Sequence, residues 1–203
     1  MSGQITLRSA GPADAAGLAT LHNAVWQETY RDLAPAPVRA LLNERHRRAG
    51  WEAAFARNRP CTLALVDGDI CGFVSYGAPD HPALGESGEI KHLYVAKALQ
   101  GQGLGRRLLL HAFEQLQNAG FRHAALAVVE GNTPAFRFYA AMGGKLTGAF
   151  QDAGPLWKSD NRIISWSCLN PLPEKGKSGK TKRKPYAPDT DTRPDCAPAD
   201  RLR

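Results

Sequence analysis

Residues Gln100-Gly101-Gln102-Gly103-Leu104-Gly105-Arg106 join an apolar, strand-like run, Ile90 to Val95, to a helix-like run, Leu104 to Ala119. The three glycines of this turn have no Cβ atom and readily adopt positive φ angles. In such a turn the backbone N–H groups can converge on an anion. A helix that begins at once adds its own free N–H groups and the positive end of its dipole. Arg106 adds a full positive charge, so the stretch predicts a site for a phosphorylated ligand.

The glycine spacing taken alone leaves two interpretations open, a phosphate site or an ordinary left-handed turn before a helix. It does not match the dinucleotide fingerprint G-x-G-x-x-G, which also needs an acidic residue about 20 positions further on. At that distance this chain reads Phe121-Arg122-His123-Ala124-Ala125. It does not match the P-loop of nucleotide triphosphatases either, because no Gly-Lys-Ser/Thr follows the glycines.

The sequence around the turn resembles the GNAT superfamily of acyl-CoA-dependent N-acetyltransferases. The strand Glu89-Ile-Lys-His-Leu-Tyr-Val95, the motif Gln100-x-x-Gly103-x-Gly105, then Asn132 and Phe138-Tyr139 follow the order of that family's signature. The resemblance covers roughly Ile5 to Trp166. It implies an α/β (α+β) domain in which helices flank a mixed central β-sheet, with splayed strands at the acyl-CoA site.

The pattern of apolar residues predicts the same class of fold. A strand at Ile5 to Arg8 precedes a helix that Pro12-Ala-Asp14 opens, and Trp26 to Arg59 is helical but broken by prolines. A hairpin is predicted around Asp67-Gly68. The helix after the glycine turn is expected to bury six residues: Leu104, Leu108, Leu109, Ala112, Phe113 and Leu116. Further strands are predicted at Ala124 to Val129, near Lys145 to Phe150 and near Arg162 to Ser167. Alternating strands and helices favour a mixed sheet.

Length and composition indicate one globular domain, which we assign to residues 1–170. A chain of 203 residues can bury a sizeable core. No apolar run approaches the length of about 20 residues that spans a bilayer. The segment Met1 to Arg8 lacks the charged-then-apolar pattern of a signal peptide. We therefore expect a cytoplasmic protein without a membrane partner, and the sequence leaves a homodimer open.

Residues 171–203 have a different composition. They contain six of the fourteen prolines, a basic stretch from Lys175 to Lys184 and an acidic stretch from Pro185 to Asp200. Nine Lys and Arg against five Asp and Glu give this segment +4 of the formal net charge of +7. Its small apolar content cannot offset chain entropy, so we predict a disordered tail. We interpret it as a solvated segment rather than a nucleic-acid-binding element, because the domain has no nucleic-acid-binding signature.

The four cysteines predict neither a metal site nor a disulfide framework, because their spacing fits neither. If Asp67-Gly68 forms a two-residue turn, Cys61 lies opposite Val74 and Cys71 lies opposite Ala64. The two thiols are then out of register, and we expect them to pack in the core.

The resemblance implies how acetyl-CoA would be held. Backbone N–H groups of the turn would bind the pyrophosphate, Gln100 would order the turn, and the preceding strand would hold the pantetheine arm. The residues expected to bind the pyrophosphate are Gly101, Gly103, Leu104, Gly105 and Arg106. The residues expected to bind the pantetheine arm are Leu93 and Val95. The N–H of Val95 would also stabilise the charge that develops on the thioester oxygen. Asn132 would bind pantetheine, although a plain helix N-cap is an equal alternative.

The catalytic assignments also come from the resemblance. Tyr139 would protonate the departing thiolate, and Glu89 would act through water as the general base. His92 is the second candidate for the base, because its unperturbed pKa of about 6.5 suits proton removal near neutral pH. Strand alternation predicts Glu89 on the face of Leu93 and Val95, with His92 on the other face. A bulge, common in the family, would blur that division.

The predicted activity is transfer of acetyl from acetyl-CoA to the primary amine of a small molecule, directly and in a ternary complex. A protein or peptide acceptor and a non-catalytic acyl-CoA sensor are the alternatives. By position alone, the acceptor pocket would include four residues: His22, Glu28, Tyr30 and His81. An acidic acceptor would suit the Arg-rich segment Arg45 to Arg59. However, Glu44 to Arg48 is interpreted as a solvated helical face.

Overall fold

Strands and helices alternate along residues 4–169, which are the residues that this computed structural model describes. The strands are β1 (Ile5–Ser9), β2 (Cys61–Val66), β3 (Asp69–Gly77), β4 (Gly88–Val95), β5 (Ala124–Val129), β6 (Lys145–Gln151) and β7 (Asp160–Trp166). The α-helices are α1 (Ala15–Thr29), α2 (Ala36–Leu41), α3 (Glu44–Ala56), α4 (Leu104–Asn118) and α5 (Thr133–Ala141). The predicted tail, 171–203, lies outside the described residues.

The strands form one mixed sheet in the order β1-β2-β3-β4-β5-β7-β6. The β4–β5 pair is parallel and the other neighbouring pairs are antiparallel. The predicted fold class is confirmed.

The two parallel strands at the centre of the sheet separate soon after they meet. Gly88 pairs with Ala124 and Glu89 with Ala125, and beyond these pairs β4 continues along β3 alone. The carboxyl-terminal half of β4 is therefore left without a neighbour on its β5 side. This is the splay that the sequence resemblance implies.

Strand β4 contains the expected bulge. Ser75 lies opposite His92 whereas Tyr76 lies opposite Ile90, so Lys91 is the extra residue. An extra residue reverses the face to which later side chains point.

The bulge makes the predicted face of Glu89 wrong. A Cβ on Gly88 would meet Leu116 of α4, so the next residue, Glu89, points to the opposite side of the sheet. Beyond the bulge, Leu93 and Val95 lie on the α4 side. Glu89 therefore shares its side of the sheet with His92, not with Leu93 and Val95.

Helices cover both faces of the sheet. Helix α4 buries all six of its predicted apolar residues, because they recur at helical spacing on one side. Helices α1 and α3 cover the opposite face. Their core cluster includes Leu18, Trp51, Phe55, Leu63 and Phe73.

The hairpin of β2 and β3 turns at Asp67-Gly68 as predicted, but its predicted register is wrong beyond the first pairs. Leu65 lies opposite Ile70, whereas Ala64 lies opposite Gly72, so Cys71 occupies a second bulge. Cys61 consequently lies opposite Ser75 rather than Val74. Both thiols are buried, as expected for core residues.

Candidate active site

A cleft of about 600 Å³ opens where β4 and β5 diverge. Its walls come from the second half of β4, the middle of β5, the glycine turn, the start of α5 and the end of α1. Eight of the sequence-predicted cofactor residues line it: Leu93, Val95, Gln100, Gly101, Gly103, Gly105, Arg106 and Asn132. Leu104 does not, because its side chain is fully buried under the sheet.

The glycine turn has the backbone geometry that its sequence predicts. Gly101 and Gly103 have φ angles of +75° and +85°, and Gly103 is the N-cap of α4. The N–H of Arg107 bonds to the carbonyl of Gly103 at 3.0 Å, which is the first bond of the helical ladder. The N–H groups of residues 104 to 106 therefore have no acceptor within the helix. Free N–H groups at a helix start, with the charge of Arg106 beside them, are an arrangement that can bind an anion.

A side-chain hydrogen bond connects the turn to β4. The Nε2 atom of Gln100 donates to the carbonyl oxygen of Val95 at 3.0 Å. This bond uses the backbone carbonyl group at the end of β4, where the chain enters the turn. Gln100 thus orders the turn by fixing its start.

The free edge of β4 faces the cleft. The N–H of Ala96 bonds to the carbonyl of Cys71 at 2.8 Å. Because hydrogen-bonded and non-bonded pairs alternate in an antiparallel ladder, the N–H groups of Val95 and Leu93 point away from β3. They point toward the gap that the splay opens, so two backbone donors are available to a ligand there.

Asn132 serves as an N-cap and also lines the cleft. Its side-chain oxygen accepts from the N–H of Ala135 at 3.3 Å, and the residue is buried. The N-cap interpretation from sequence is confirmed, and pantetheine binding stays a prediction.

Burial raises the pKa of Tyr30, while hydrogen bonds with Asn132 and Tyr94 act in the opposite direction.

Tyr139 lies in the wall of the cleft and is only 8% exposed. Its ring packs edge-on against Phe138, with centroids 5.0 Å apart, and against Trp166. Burial raises the pKa of Tyr139, and the nearby Tyr30 adds to that shift. The side chain is therefore a neutral phenol, and a potential proton donor, throughout the physiological pH range.

Glu89 lies outside the cleft lining, in a group of charged residues on the α1–α3 side of the sheet. Its Oε2 atom accepts from Lys91 Nζ at 2.6 Å and from the N–H of Asp80 at 2.8 Å. Asp80 also pairs with Lys91 at 2.9 Å and with Arg59 at 2.7 Å. The carboxylate of Glu89 is thus held in an ion-pair network.

His92 lines the cleft and also a smaller cavity that adjoins it. Its Nδ1 atom lies 2.7 Å from Ser75 Oγ, and its ring lies 5.1 Å from the ring of His22, centroid to centroid. Burial lowers the pKa of His92 to about 4, and the positive charges of Arg47 and Lys91 contribute. His92 is consequently neutral at pH 7.

The four residues expected around the acceptor separate into two groups. Tyr30 lines the cleft and His22 lines the adjoining cavity. Glu28 instead forms an exposed ion pair with Lys97 at 2.8 Å. His81 stacks on Phe150 at 3.9 Å, away from both cavities. Sequence position alone was therefore a poor guide for Glu28 and His81.

Arg47 has a position that sequence reasoning did not predict, because the sequence offers it only as one member of the Arg-rich segment Arg45 to Arg59. It was grouped with a solvated run, yet it lines the adjoining cavity and its Cζ atom lies 4.7 Å from the ring centre of Trp26. A signal was present, because Arg47, Trp51 and Phe55 recur every four residues on one helical face. Trp51 and Phe55 are both buried.

Two classes of feature are not found in the part of the chain that the structure describes. No group of three or more His, Cys, Asp or Glu side chains there could hold a metal ion. None of the described helices has the length and apolar character needed to cross a bilayer.

Comparison with known proteins gives matches along most of the chain. The model of the acetyltransferase (GNAT) family matches residues 19–143. The uncharacterized N-acetyltransferase YuaI of Bacillus subtilis strain 168 is 30% identical over 139 residues, which are 68% of this chain and 78% of that protein. The L-methionine sulfoximine/L-methionine sulfone acetyltransferase of Salmonella typhimurium is 27% identical over 158 residues, which are 74% of this chain and 85% of that protein.

Among solved structures, the PaiA N-acetyltransferase of Thermoplasma acidophilum in complex with coenzyme A is similar, with a TM-score of 0.65 at 19% identity. The match covers 80% of this chain and 98% of that chain. At this identity the likeness shows a shared fold.

Proposed function

This chain belongs to the acetyltransferase (GNAT) family of acetyl-CoA-dependent enzymes, and from that premise we propose that it acetylates the primary amine of a small molecule. One observation carries the proposal. The splay of β4 from β5 brings the anion site, two free strand donors and the Tyr139 phenol onto the wall of one cleft.

The residues present fit the co-substrate. The N–H groups of Leu104, Gly105 and Arg106 have no helical acceptor and suit a pyrophosphate. The free N–H groups of Leu93 and Val95 suit an extended chain of amides that lies beside β4 as an added strand would. When bound, acetyl-CoA would supply an activated acetyl thioester.

The backbone N–H of Val95 would stabilise the negative charge on the thioester oxygen while the amine attacks. A donor fixed in place before the reaction needs no reorganisation, which is why such groups lower the barrier. The N–H is fixed because Gln100 ties the end of β4 to the turn. In this reaction the amine nitrogen gains the acetyl group and the sulfur keeps the electron pair of the broken C–S bond.

The phenol of Tyr139 would provide the proton for the leaving sulfur. Because burial raises its pKa, the phenol is fully protonated at any pH where the amine is reactive. Its proton would pass to the sulfur as the C–S bond breaks, while the base takes the proton that the amine loses. Exchange with solvent would then return a proton from the base to the Tyr139 phenolate.

For the base we place His92 ahead of Glu89. His92 lines both cavities and is neutral at pH 7. Its lowered pKa of about 4 makes it a weaker base than a free imidazole, so its rank rests on its position in the cavity lining. Glu89 is bound to Lys91 and would need intervening water. The positive charge of nearby Arg47 also favours the neutral form of an amine bound there, which reduces the demand on the base.

Direct transfer is favoured over an acyl-enzyme. Neither Cys61 nor Cys71 lines the cleft, and burial raises the pKa of the Cys61 thiol to about 12. A thiol is reactive as its thiolate, so neither of these residues is a suitable nucleophile. Intersecting initial-rate plots are expected for a ternary complex, and parallel plots would reject it.

A small acceptor is favoured because one relative is named for acetylating L-methionine sulfoximine and L-methionine sulfone. The decisive experiment measures thiol release from acetyl-CoA across a library of amines that includes peptides with free N-termini. Turnover confined to small amines supports the proposal. Turnover confined to peptides would replace it with the protein-acetylating alternative. Tight acetyl-CoA binding without turnover of any amine would indicate a sensor.

A further inference from the structure

The cavity of about 190 Å³ that adjoins the cleft lies between α3 and the sheet. Lys91 and His92 line both spaces, so a ligand in the small cavity would lie next to the acyl site. Its remaining walls include His22 of α1, Trp51 of α3 and Ser75 of β3. The volume suits a group of a few heavy atoms.

Arg47 is the uncompensated charge of this cavity. Its Nε and Nη2 atoms are buried and have no hydrogen-bond partner within residues 4–169. The other cations of the lining are balanced, because Arg59 and Lys91 pair with Asp80 and Lys91 also pairs with Glu89. Within the same residues no carboxylate forms an ion pair with Arg47.

The surroundings of Arg47 do not replace a counterion. The guanidinium lies over the Trp26 ring, and a cation–π contact offsets only part of the cost of desolvation. Desolvation lowers the pKa of Arg47, while Tyr94 and Tyr30 act in the opposite direction. Burial lowers the pKa values of His22 and His92, and the positive charge of Arg47 adds to both shifts. Both histidines are therefore neutral and supply no negative charge.

The two unpartnered donors belong to one edge of the guanidinium. Nε–H and Nη2–H point in the same direction, at the spacing of the two oxygens of a carboxylate, and this pairing is the strong bidentate geometry. An anion held there would satisfy two buried donors at once in a medium of low dielectric constant.

We propose that the acceptor is an amino acid whose free carboxylate pairs with the Nε–Nη2 edge of Arg47 in the small cavity, with its amine directed to the cleft. The inference rests on the proposed function and names its class of substrate. Because the Nε and Nη2 atoms are buried in the present structure, the guanidinium would have to rotate to turn this edge toward the cavity that Arg47 lines.

The test compares amines in matched triplets: an amino acid, its carboxamide and the decarboxylated amine. For the wild-type protein we expect kcat/KM to be about ten- to hundredfold higher for the free acid, as for a charge-assisted hydrogen bond. Arg47→Met should abolish that preference, so that the three members of a triplet are acetylated with similar kcat/KM. Arg47→Lys should keep a smaller preference, because the charge remains and the bidentate edge is lost.

Arg48→Gln is the matched control, since Arg48 lies on the same helix but is exposed and paired with Glu52. It should leave the preference unchanged. Arg47→Met removes a buried unpaired charge, so its melting temperature should equal or exceed that of the wild type. A second readout is independent of turnover: free amino acids should raise the melting temperature of the wild type and not that of Arg47→Met.

The outcomes separate the inference from the proposed function. Equal acetylation of acid, amide and amine would overturn the inference and leave the proposed function intact. A preference for the free acid that survives in Arg47→Met would also overturn it. Absence of acetyl transfer to every amine would reject the proposed function. In that case the melting-temperature comparison still decides whether Arg47 binds a carboxylate.

Discussion

The Nε2 atom of Gln100 lies 3.0 Å from the carbonyl oxygen of Val95 and donates to it. This single bond links the loop that would bind the pyrophosphate to the strand end that would polarise the thioester. The two halves of the proposed cofactor site are therefore held in a fixed relationship. Loss of the bond should disturb binding and chemistry together.

Replacement of Gln100 by alanine tests this link. We expect a rise in KM for acetyl-CoA together with a fall in kcat, each about two- to tenfold, the range of one neutral hydrogen bond. Gln102→Ala is the control, because Gln102 Nε2 donates to Ala98 O at 2.8 Å in the same turn but does not line the cleft. Steady-state kinetics should separate the two variants, and equal effects would dismiss a special role for Gln100.

Replacement of Gly103 by valine tests the anion site. At a φ angle of +85° a β-branched residue is strained by about 1–2 kcal/mol or more, and no atom lies within 4 Å of the added Cβ position. The new side chain would displace the N–H groups that face the anion, so acetyl-CoA should bind at least about tenfold more weakly in calorimetry.

The control for Gly103 is Gly120→Val at the other end of α4. Gly120 has a φ angle of +91° and equally open surroundings. The Gly120→Val variant should lose about as much stability as the Gly103→Val variant and keep the wild-type affinity for acetyl-CoA. Normal affinity in the Gly103 variant would contradict the pyrophosphate assignment.

Replacement of Tyr139 by phenylalanine removes the phenol and keeps the packing against Trp166. We expect kcat to fall about 100-fold or more, as for loss of a general acid, with acetyl-CoA affinity little changed. Tyr76→Phe is the control, since the hydroxyl of Tyr76 pairs with Thr62 at 3.2 Å away from the cleft. An unaltered kcat in Tyr139→Phe would remove this residue from the mechanism.

The two candidate bases can be distinguished by His92→Gln and Glu89→Gln. If His92 accepts the proton, its variant should lose roughly ten- to hundredfold in kcat, while Glu89→Gln loses much less. Pre-steady-state and steady-state rates at pH 6 to 9 with one amine acceptor provide the comparison. The reverse order would assign the base to Glu89, and small losses in both would mean that the amine binds already neutral.

Stability should depend on pH through the buried histidines. In the folded state His92 has a pKa of about 4, whereas the unfolded value is about 6.5. The pKa of His22 is also lowered, mainly by burial. Between these limits the unfolded chain binds more protons, so stability falls as the pH drops from about 6.5 toward 4.

The expected slope is at most about 1.4 kcal/mol per pH unit for each histidine. Urea unfolding at pH 7, 6 and 5 measures it. His92→Gln and His22→Gln should each reduce the slope. A free energy of unfolding that stays constant over this window would show that neither ring is buried as a neutral group.

Much of the fold follows from local patterns in the sequence. Six apolar residues mark one face of α4 by helical spacing alone, and all six are buried: Leu104, Leu108, Leu109, Ala112, Phe113 and Leu116. Gly101 and Gly103 stand where the chain adopts positive φ. The hairpin at Asp67-Gly68 forms because its turn residues tolerate that geometry. These features depend on neighbours along the chain, which a sequence displays directly.

Bulges and the orientation of single charges depend on contacts between distant segments. Lys91 and Cys71 become bulge residues through pairing with another strand, and nothing in their own side chains signals it. The side-chain face of Glu89 was wrong for this reason. Arg47 was assigned to solvent because charge runs usually are, although its spacing with Trp51 placed it on the buried face.

The alternation along β4 after its bulge has a consequence for how this enzyme could diversify. The proposed cofactor contacts of Leu93 and Val95 are made by backbone N–H groups, which every amino acid except proline possesses. Between and before them, His92 and Tyr94 direct their side chains to the opposite face, among His22 and its neighbours. Mutation at Tyr94 can thus alter the choice of amine while the acyl donor stays the same. One strand would thus bind the acyl donor through its main chain and contact the amine through side chains at alternate positions.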